Sequence, residues 1–436
     1  MKQYSLMITM LFSVFLISCR KDKEETPGTW GVWNSAPVEV STVTPINGGA
    51  IVAYKVPDEN DLLYVMAEYQ RNGKMFTEKA SVYNNTLTIE GFNTLNPVSA
   101  KIYKVNKQGE RSAPTDISFT PLESLISIAK NSLKTQMGFG GIIANWDNPM
   151  RTDLGVRLMS VHSNNKLTTD TVYFSSLMKE LHAFRGFAAK PTNFGISFED
   201  KWGNISDTVY FDGMPYFETL VPKPYADYRA SIPYDNTTNL PAKPNISSLW
   251  NNIINTSGEG WLTNPGGSGL SITIDLKQVV KLSRIIIWGY HVNSPYGQAN
   301  FTQFELWGID KIDLNKLKDK PYWLDSTSVV NGALSPAPYN INPTTVLPAV
   351  TFKDDWQYLG WNAITRLDKM IPPADATTIN AFAQAGMEYT MPLDAKPVRY
   401  LRLFVREIAG VMPPPANNYF SCGEISVFGD NTVPQN

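Results

Sequence analysis

Two stretches decide the fold: Asn106-Lys107-Gln108-Gly109-Glu110-Arg111-Ser112 and Asp200-Lys201-Trp202-Gly203-Asn204-Ile205-Ser206. They share Lys-x-Gly-x-x-Ser at a separation of 94 residues, with Asn or Asp immediately before the Lys. Such a stretch reads as a strand-ending turn, because Gly supplies a positive φ and the Asn or Asp side chain bonds its own backbone. Working outward, Gly91-Phe92 returns 95 residues later as Gly186-Phe187. Gly48-Gly49, with Pro57 and Asp61-Leu62, returns 92 residues later as Gly140-Gly141, with Pro149 and Asp153-Leu154. Between these marks apolar residues alternate with period two: Ala50, Val52 and Tyr54, then Leu63, Val65, Ala67 and Tyr69, then Leu87 and Ile89. Period two is the signature of half-buried strands. A repeat of about 93 residues is the length of one sandwich domain and not of a solenoid unit. Residues 38–120 and 121–213 are therefore expected to be tandem β-sandwiches.

The composition fits an all-β chain of several domains. At 436 residues it has room for two to four domains. Its 30 Pro, 29 Gly and 20 Tyr, with only 18% charged residues, favour strands and turns over solvated helices. The formal charge of -2 gives no long-range field for polyanions and sets nucleic acid aside as a partner. Two Cys rule out an internal disulfide framework, and three His leave little for a zinc site.

The turn at 106–112 and its copy at 200–206 resemble the "D-x-x-G-N-x-S" turn of fibronectin type III domains, which implies fibronectin or immunoglobulin-like sandwiches. Trp146, Trp202 and His182 are expected to pack in these units and not to do chemistry. At the N-terminus an apolar run from Met7 to Ile17 is too short to span a bilayer and reads as an export signal over residues 1–18. Leu16-Ile17-Ser18-Cys19 resembles the lipobox of bacterial lipoproteins, which implies lipidation of Cys19; an ordinary signal peptide with an incidental Cys is the alternative. Fatty chains bury roughly 0.8 kcal/mol per CH2, so such an anchor holds stably to a membrane. The charged run Arg20 to Glu25 resembles the tag that sends Bacteroidetes lipoproteins to the outer face of the outer membrane, with a plain solvated tether over 19–37 as the other reading. With Cys19 lipidated, Cys422 has no bridging partner.

Residues 214–240 read as a Pro/Asn/Thr-rich linker, and strands return from 241 to 436. Trp261-Leu262-Thr263, Thr273-Ile274-Asp275-Leu276, Leu282-Ser283-Arg284-Ile285, Phe304-Glu305-Leu306-Trp307-Gly308, Val398-Arg399-Tyr400-Leu401-Arg402 and Cys422-Gly423-Glu424-Ile425 stand in order. This series resembles the discoidin, or coagulation-factor type C, domain, a galactose-binding-like jelly-roll sandwich shared by many carbohydrate-binding modules. The whole layout is similar to Bacteroidetes surface lipoproteins associated with polysaccharide-utilisation systems. The long stretch 309–395 departs from the pattern, either as an inserted loop or with a strand at Trp356 to Leu359.

No H-E-x-x-H, G-x-S-x-G, Walker loop or paired C-x-x-C is present, and none of His162, His182 and His291 lies near a nucleophile turn. Glycoside hydrolysis needs only two carboxylates and so leaves no motif to find. A binding module needs a rigid platform, an aromatic ring to stack on a sugar and a few fixed donors. Trp250, Trp261, His291, Tyr296, Trp356, Tyr358, Trp361 and Phe420 all fall in or beside segments read as loops. The resemblance points to Trp261, His291, Tyr296 and Arg406 as carbohydrate-binding residues, with core packing the rival role for Trp250 and Trp261. It also implies a structural Ca2+, for which Asn251, Thr256 and Glu424 are the conditional ligands; no other cofactor is expected. The expectation is thus a non-catalytic, outer-membrane glycan-binding lipoprotein whose partners are polysaccharide, the membrane through its lipid and other uptake proteins. A protein-docking subunit of an outer-membrane complex is the alternative class, and a hydrolase the third.

Overall fold

The computed structural model describes residues 33–435 except 162–165, 232–238, 240–243, 255–259, 264–270, 292–294, 298, 318–328, 331–332, 335–354 and 410–419. The signal peptide, Cys19, His162 and Thr256 lie outside the described residues, as does the side chain of Arg406. The chain is all-β apart from short helices.

The first sandwich holds seven strands: β1 (Val40–Ile46), β2 (Gly49–Tyr54), β3 (Leu62–Arg71), β4 (Lys74–Ser81), β5 (Thr86–Glu90), β6 (Val98–Asn106) and β7 (Thr115–Phe119). They form sheets β1-β2-β5 and β4-β3-β6-β7. The second repeats this with β8 (Lys134–Gly138), β9 (Gly141–Asp147), β10 (Leu154–Val161), β11 (Leu167–Ser175), β12 (Lys179–Phe184), β13 (Thr192–Glu199) and β14 (Val209–Gly213), after a leading helix α1 (Leu125–Ser132). Its sheets, β12-β9-β8 and β11-β10-β13-β14, have the same order, so both repeats are the fibronectin-type sandwiches expected from the turn motif.

The repeated residues do repeated work. Gly109 and Gly203 stand at φ 84° and 79°, Gly91 and Gly186 at 95° and 100°, and Gly48 and Gly140 at 67° and 64°. In the two turns, Asn106 Oδ1 accepts from the amides of Gln108 and Glu110, and Asp200 Oδ1 from those of Trp202 and Asn204. Ser112 Oγ then accepts from the Lys104 amide and Ser206 Oγ from the Phe198 amide, closing the strand edge identically. One alternation is displaced: Leu63 is exposed while Leu62 and Val65 are buried, because a bulge between Leu62 and Tyr64 shifts the inward parity.

Residues 33–37, expected as tether, already dock on the first sandwich: the Ser35 carbonyl accepts from the Ala113 amide, and the Lys104 ammonium lies 5.3 Å from the Trp33 ring centroid. The two sandwiches interlock. Asn204 Nδ2 donates to the Gly91 carbonyl at 2.9 Å, and Asn72 Nδ2 to Asn204 Oδ1 at 3.0 Å. Ser124, the N-cap of α1, also donates to Asn93 Oδ1 of the first sandwich.

The third sandwich begins inside the expected linker. β15 (Thr219–Leu220) and β16 (Ala226–Asp227) pair with its sheets, and Val221 and Tyr225 are part of its core. The linker reading over 214–240 therefore fails at 219–227, where two-residue strands are too short to show periodicity but still fill ladder positions. The remaining strands are β17 (Trp261–Leu262), β18 (Ser271–Trp288), β19 (Phe301–Ile309), β20 (Val329–Val330), β21 (Ala333–Leu334), β22 (Gln357–Ala363), β23 (Met387–Thr390), β24 (Val398–Ile408), β25 (Ser421–Cys422) and β26 (Glu424–Asp430), with helices α2 (Leu314–Leu317) and α3 (Ala376–Ala385). β18 serves both layers. Residues 271–275 pair with β24 in the layer β16-β18-β24-β19-β22, and residues 281–288 pair with β26 in the layer β15-β26-β18-β23, with Lys277 at φ 63° in the bend between them. Ile272, Ile274, Ile285, Ile287, Leu401, Leu403, Ile425 and Val427 face one another across the core.

An ionic cluster joins the second sandwich to the third. Glu218 accepts from Arg185, Arg284 and Ser283, while Glu388 accepts from the same two arginines, at 2.6 to 3.2 Å throughout.

Candidate functional site

The register of the third sandwich separates its two ends. At one end Phe301 pairs with Ile408 and Trp288 with Glu424; at the other Ile309 pairs with Tyr400 and Lys281 with Asp430. β19 alone has nine residues, so about 26 Å of strand lies between the ends. The resemblance-based candidates sit at the first end, and the open cleft of the domain sits at the second.

At the first end Trp250, Trp261, Tyr296 and Phe420 are structural. Trp261 is fully buried, edge-on to Phe420 at 5.5 Å, with the Arg229 guanidinium 4.8 Å above its ring and its indole N–H donating to Asn239 Oδ1. No ring face remains for a sugar, so the carbohydrate-binding role expected of Trp261 is corrected to packing. Trp250 and Phe420 are likewise core. Tyr296 is half-buried: its hydroxyl donates to the Thr365 carbonyl at 2.9 Å and accepts from the Leu367 amide at 3.0 Å, and Arg366 lies 4.8 Å from its ring. It anchors the 365–367 turn instead of presenting a free phenol. His291 is half-buried beside Tyr290, their ring centroids 5.4 Å apart, and Arg406 lies on β24.

Of the residues kept for calcium, Asn251 and Glu424 lie among the described residues, and each side chain has a protein partner. Asn251 caps a 3-10 turn at Ile246–Trp250, and its side chain accepts from the Ile253 amide. Glu424 is buried, and the Lys223 ammonium is bonded to its carboxylate. Burial pushes the Glu424 carboxyl above the ordinary Glu value, an effect that Lys223 partly offsets. Among the described residues no group of three or more His, Cys, Asp or Glu converges as a metal site. Sequence reasoning missed Lys223, because it lies about 200 residues from Glu424 in the segment taken for linker.

At the second end a cleft of about 770 Å³ is lined by Val279, Gly308, Asp310, Asp355, Trp356, Gln357 and Lys396, among others. That volume lies within the range of small-molecule sites, roughly 300–1,000 Å³. β19 ends at the cleft and β22 starts there. The C-terminal tail pins its wall, because Gln435 exchanges two hydrogen bonds with the Val279 backbone at 2.8 and 3.0 Å. Gln357 Oε1 accepts from the Lys396 amide, fixing the amide side chain at the rim. Trp356 is 4% exposed and packs in a cluster with Trp307, Tyr400 and Phe404, so it forms floor and not shelf.

The shelf is the neighbouring face of β22, where Tyr358 and Trp361 are 48% and 51% exposed. Three residues apart in a regular strand they would face opposite ways. Here the ladder pairs Trp307 with Tyr358, Leu306 with Gly360 and Glu305 with Trp361, so Leu359 is extra and the two rings share the face of Trp307 and Glu305. Gly360 takes φ 146°, which only glycine adopts freely, and Leu359 points into the core. Tyr358 and Trp307 lie 4.9 Å apart, and the Trp307 indole N–H donates to Glu305. The strand expected at Trp356 to Leu359 is thus present as β22, but its bulge has no signature except Gly360.

In the second sandwich Trp146 is fully buried and His182 stacks on Tyr173 at 3.7 Å. Burial holds the His182 imidazole down at about 4, a fall that Arg185 reinforces and Glu388 opposes. Cys422 is a buried free thiol, pushed above its ordinary pKa by burial. No helix among the described residues is long and apolar enough to cross a membrane.

Three family matches follow these units. Residues 35–121 match a domain of unknown function (DUF4959), residues 122–224 a second (DUF5126) and residues 250–429 a third (DUF5000). No curated protein matches the chain. Similar solved structures include a SusE-like protein, at 16% identity and TM-score 0.36, with 70% of this chain and 98% of that one covered. A two-domain fibronectin type III segment of chicken tenascin is similar at 13% identity and TM-score 0.21, covering 41% and 98%. A family 89 glycoside hydrolase from Clostridium perfringens is similar at 10% identity and TM-score 0.25 over 49% of this chain and 15% of the hydrolase.

Proposed function

We propose that the chain is a non-catalytic glycan-binding protein, carried on the cell surface by a lipid on Cys19. In this reading the fibronectin-type sandwiches hold a discoidin-like third domain away from the outer membrane. One observation carries the binding function: the cleft at Asp310, Asp355, Gln357 and Lys396 opens at the start of β22, the strand that carries the exposed rings of Tyr358 and Trp361 along one face. Aromatic faces with a few fixed polar groups are what a neutral, hydroxyl-rich ligand requires. Tethering raises the effective concentration, so modest affinity suffices to retain a polymer beside outer-membrane uptake proteins.

Affinity electrophoresis of the full chain through gels loaded with a panel of polysaccharides tests this. Retardation in at least one gel, reduced about tenfold in affinity by Trp361→Ala, is expected, since truncating an aromatic anchor of a binding surface costs about 1–2 kcal/mol. A folded protein that no glycan retards refutes the reading. The cleft also carries two carboxylates, and cleavage of a glycan that Asp355→Asn abolishes would replace binding with hydrolysis.

The docking alternative has its own observation. Among the described residues β22 is a sheet edge with Tyr358 and Trp361 exposed, a strand against which a partner chain can pair. Co-purification of a stoichiometric partner that Tyr358→Lys abolishes, with no glycan retarding the folded chain, would favour it.

A further inference from the structure

We propose that Lys223 is the built-in counter-cation of the third sandwich. Its ammonium holds the place beside Glu424 where the resemblance implies calcium, so this domain folds without divalent metal. The three N–H donors of the ammonium meet three oxygens: the Glu424 carboxylate, Ser426 Oγ at 2.9 Å and Asn252 Oδ1 at 3.1 Å. A lysine offers three donors and no more, so its capacity is filled. The two charged side chains are 7% and 2% exposed, deep enough that neither is screened by solvent.

The surroundings suit an ammonium and oppose a second cation. Calcium takes six to eight oxygens at roughly 2.3–2.6 Å and favours several carboxylates, whereas among the described residues Glu424 is the one carboxylate in this group of contacts. A divalent ion at Glu424 would stand against a buried positive charge a few ångströms away. The backbone amides of Asn251 and Asn252 also bear on the Glu424 carboxylate and favour its charged form, and such N–H donors stabilise an anion but do not ligate a metal. The lysine also ties segments together. It arrives from the stretch leaving the second sandwich, between Val221 and Tyr225 of the core, and bonds to β26 and to the turn after Trp250.

Thermal unfolding of the full chain, in EDTA and in millimolar CaCl2, tests the proposal. The unaltered chain is expected to unfold at the same temperature in both. Lys223→Met strands a buried carboxylate and should lower the transition of the third domain by roughly 10 °C. Lys223→Met combined with Glu424→Gln removes both charges and should recover at least half of that loss, or fold where the single variant does not. A transition raised by calcium in the unaltered chain overturns the proposal. So does a Lys223→Met variant as stable as the parent, or a double variant no better than the single one. None of these outcomes depends on glycan binding, so the proposal stands or falls apart from the reading of the cleft.

Discussion

Gly141→Ala and Gly203→Ala separate the two reasons for which the repeat keeps glycine. A Cβ on Gly203 meets nothing within 4 Å, so its cost is only that of an L-residue at φ 79°, about 1–2 kcal/mol. A Cβ on Gly141 would stand 1.9 Å from the Phe184 carbonyl oxygen. Restoring ordinary contact at 3.4 Å moves β9 and β12 apart by about 1.5 Å at that point. Such a shift stretches the adjacent ladder bonds beyond bonding range, at about 1 kcal/mol each, and disturbs the buried Ile142 and Phe184 by another 1–3 kcal/mol. The sum is about 3–5 kcal/mol for a sandwich of this size, which lowers its melting transition by roughly 15–30 °C, against roughly 5–12 °C for Gly203→Ala. Differential scanning calorimetry of the full chain reads both values. Gly49→Ala, whose Cβ would stand 2.0 Å from the Ile89 carbonyl, should do the same in the first sandwich. If Gly141→Ala and Gly203→Ala melt within a few degrees of each other, the close-approach explanation of the Gly-Gly pair is wrong.

Other perturbations probe the junction and the shelf. His182 is held neutral by burial at about 4, below its ordinary 6.5, so the unfolded chain binds the extra proton. Stability is then full above pH 6.5 and falls as pH drops toward 4, by about 1–2 kcal/mol after solvent screening of the exposed ring edge; urea unfolding across that range should show a slope that His182→Phe removes. Glu218→Ala leaves Arg185 and Arg284 with only Glu388 as a carboxylate partner, and should cost about 3 kcal/mol in calorimetry; a loss below about 1 kcal/mol would mean that the cluster is decorative. Gly360→Val should straighten the β22 bulge and turn one of its two rings toward the core, so glycan retention should fall as far as in Trp361→Ala although residue 360 touches no ligand in the proposed site. Asn204→Ala removes two bonds across the first junction, and small-angle scattering should report a wider spread of interdomain angles.

The tandem sandwiches were legible in the residues because their marks are local. A turn that needs positive φ, an Asx side chain bonding its own amides and a Gly-Gly pair under a carbonyl are each imposed over a few positions, so they recur wherever the same turn recurs. Alternation of period two was legible for the same reason, except at the bulge that displaced Leu63. The third domain was legible as an ordered series of strands, but not as a site. Trp261, in a short strand, and Tyr296, beside Gly297, read as ligand loops, yet Arg229, Asn239 and Thr365 occupy their faces and polar groups, and those partners lie 22 to 69 residues away.

What tertiary structure alone decided follows from the distances involved. Lys223 reaches Glu424 across 201 residues, Arg185 reaches Glu388 across 203, and no pattern of neighbours encodes either pair. The cleft arises where the bend of β18, the end of β19, the starts of β22 and β24 and the C-terminal tail come together, and only their register sets that. The shared face of Tyr358 and Trp361 rests on one extra residue in a ladder, which is a property of the pairing with β19 and not of β22 itself. Turns and strand parity come from forces that act within a few residues, and so can be read along the chain. Counter-ions, clefts and ring platforms come from what the folded chain brings alongside, and the sequence alone leaves them open.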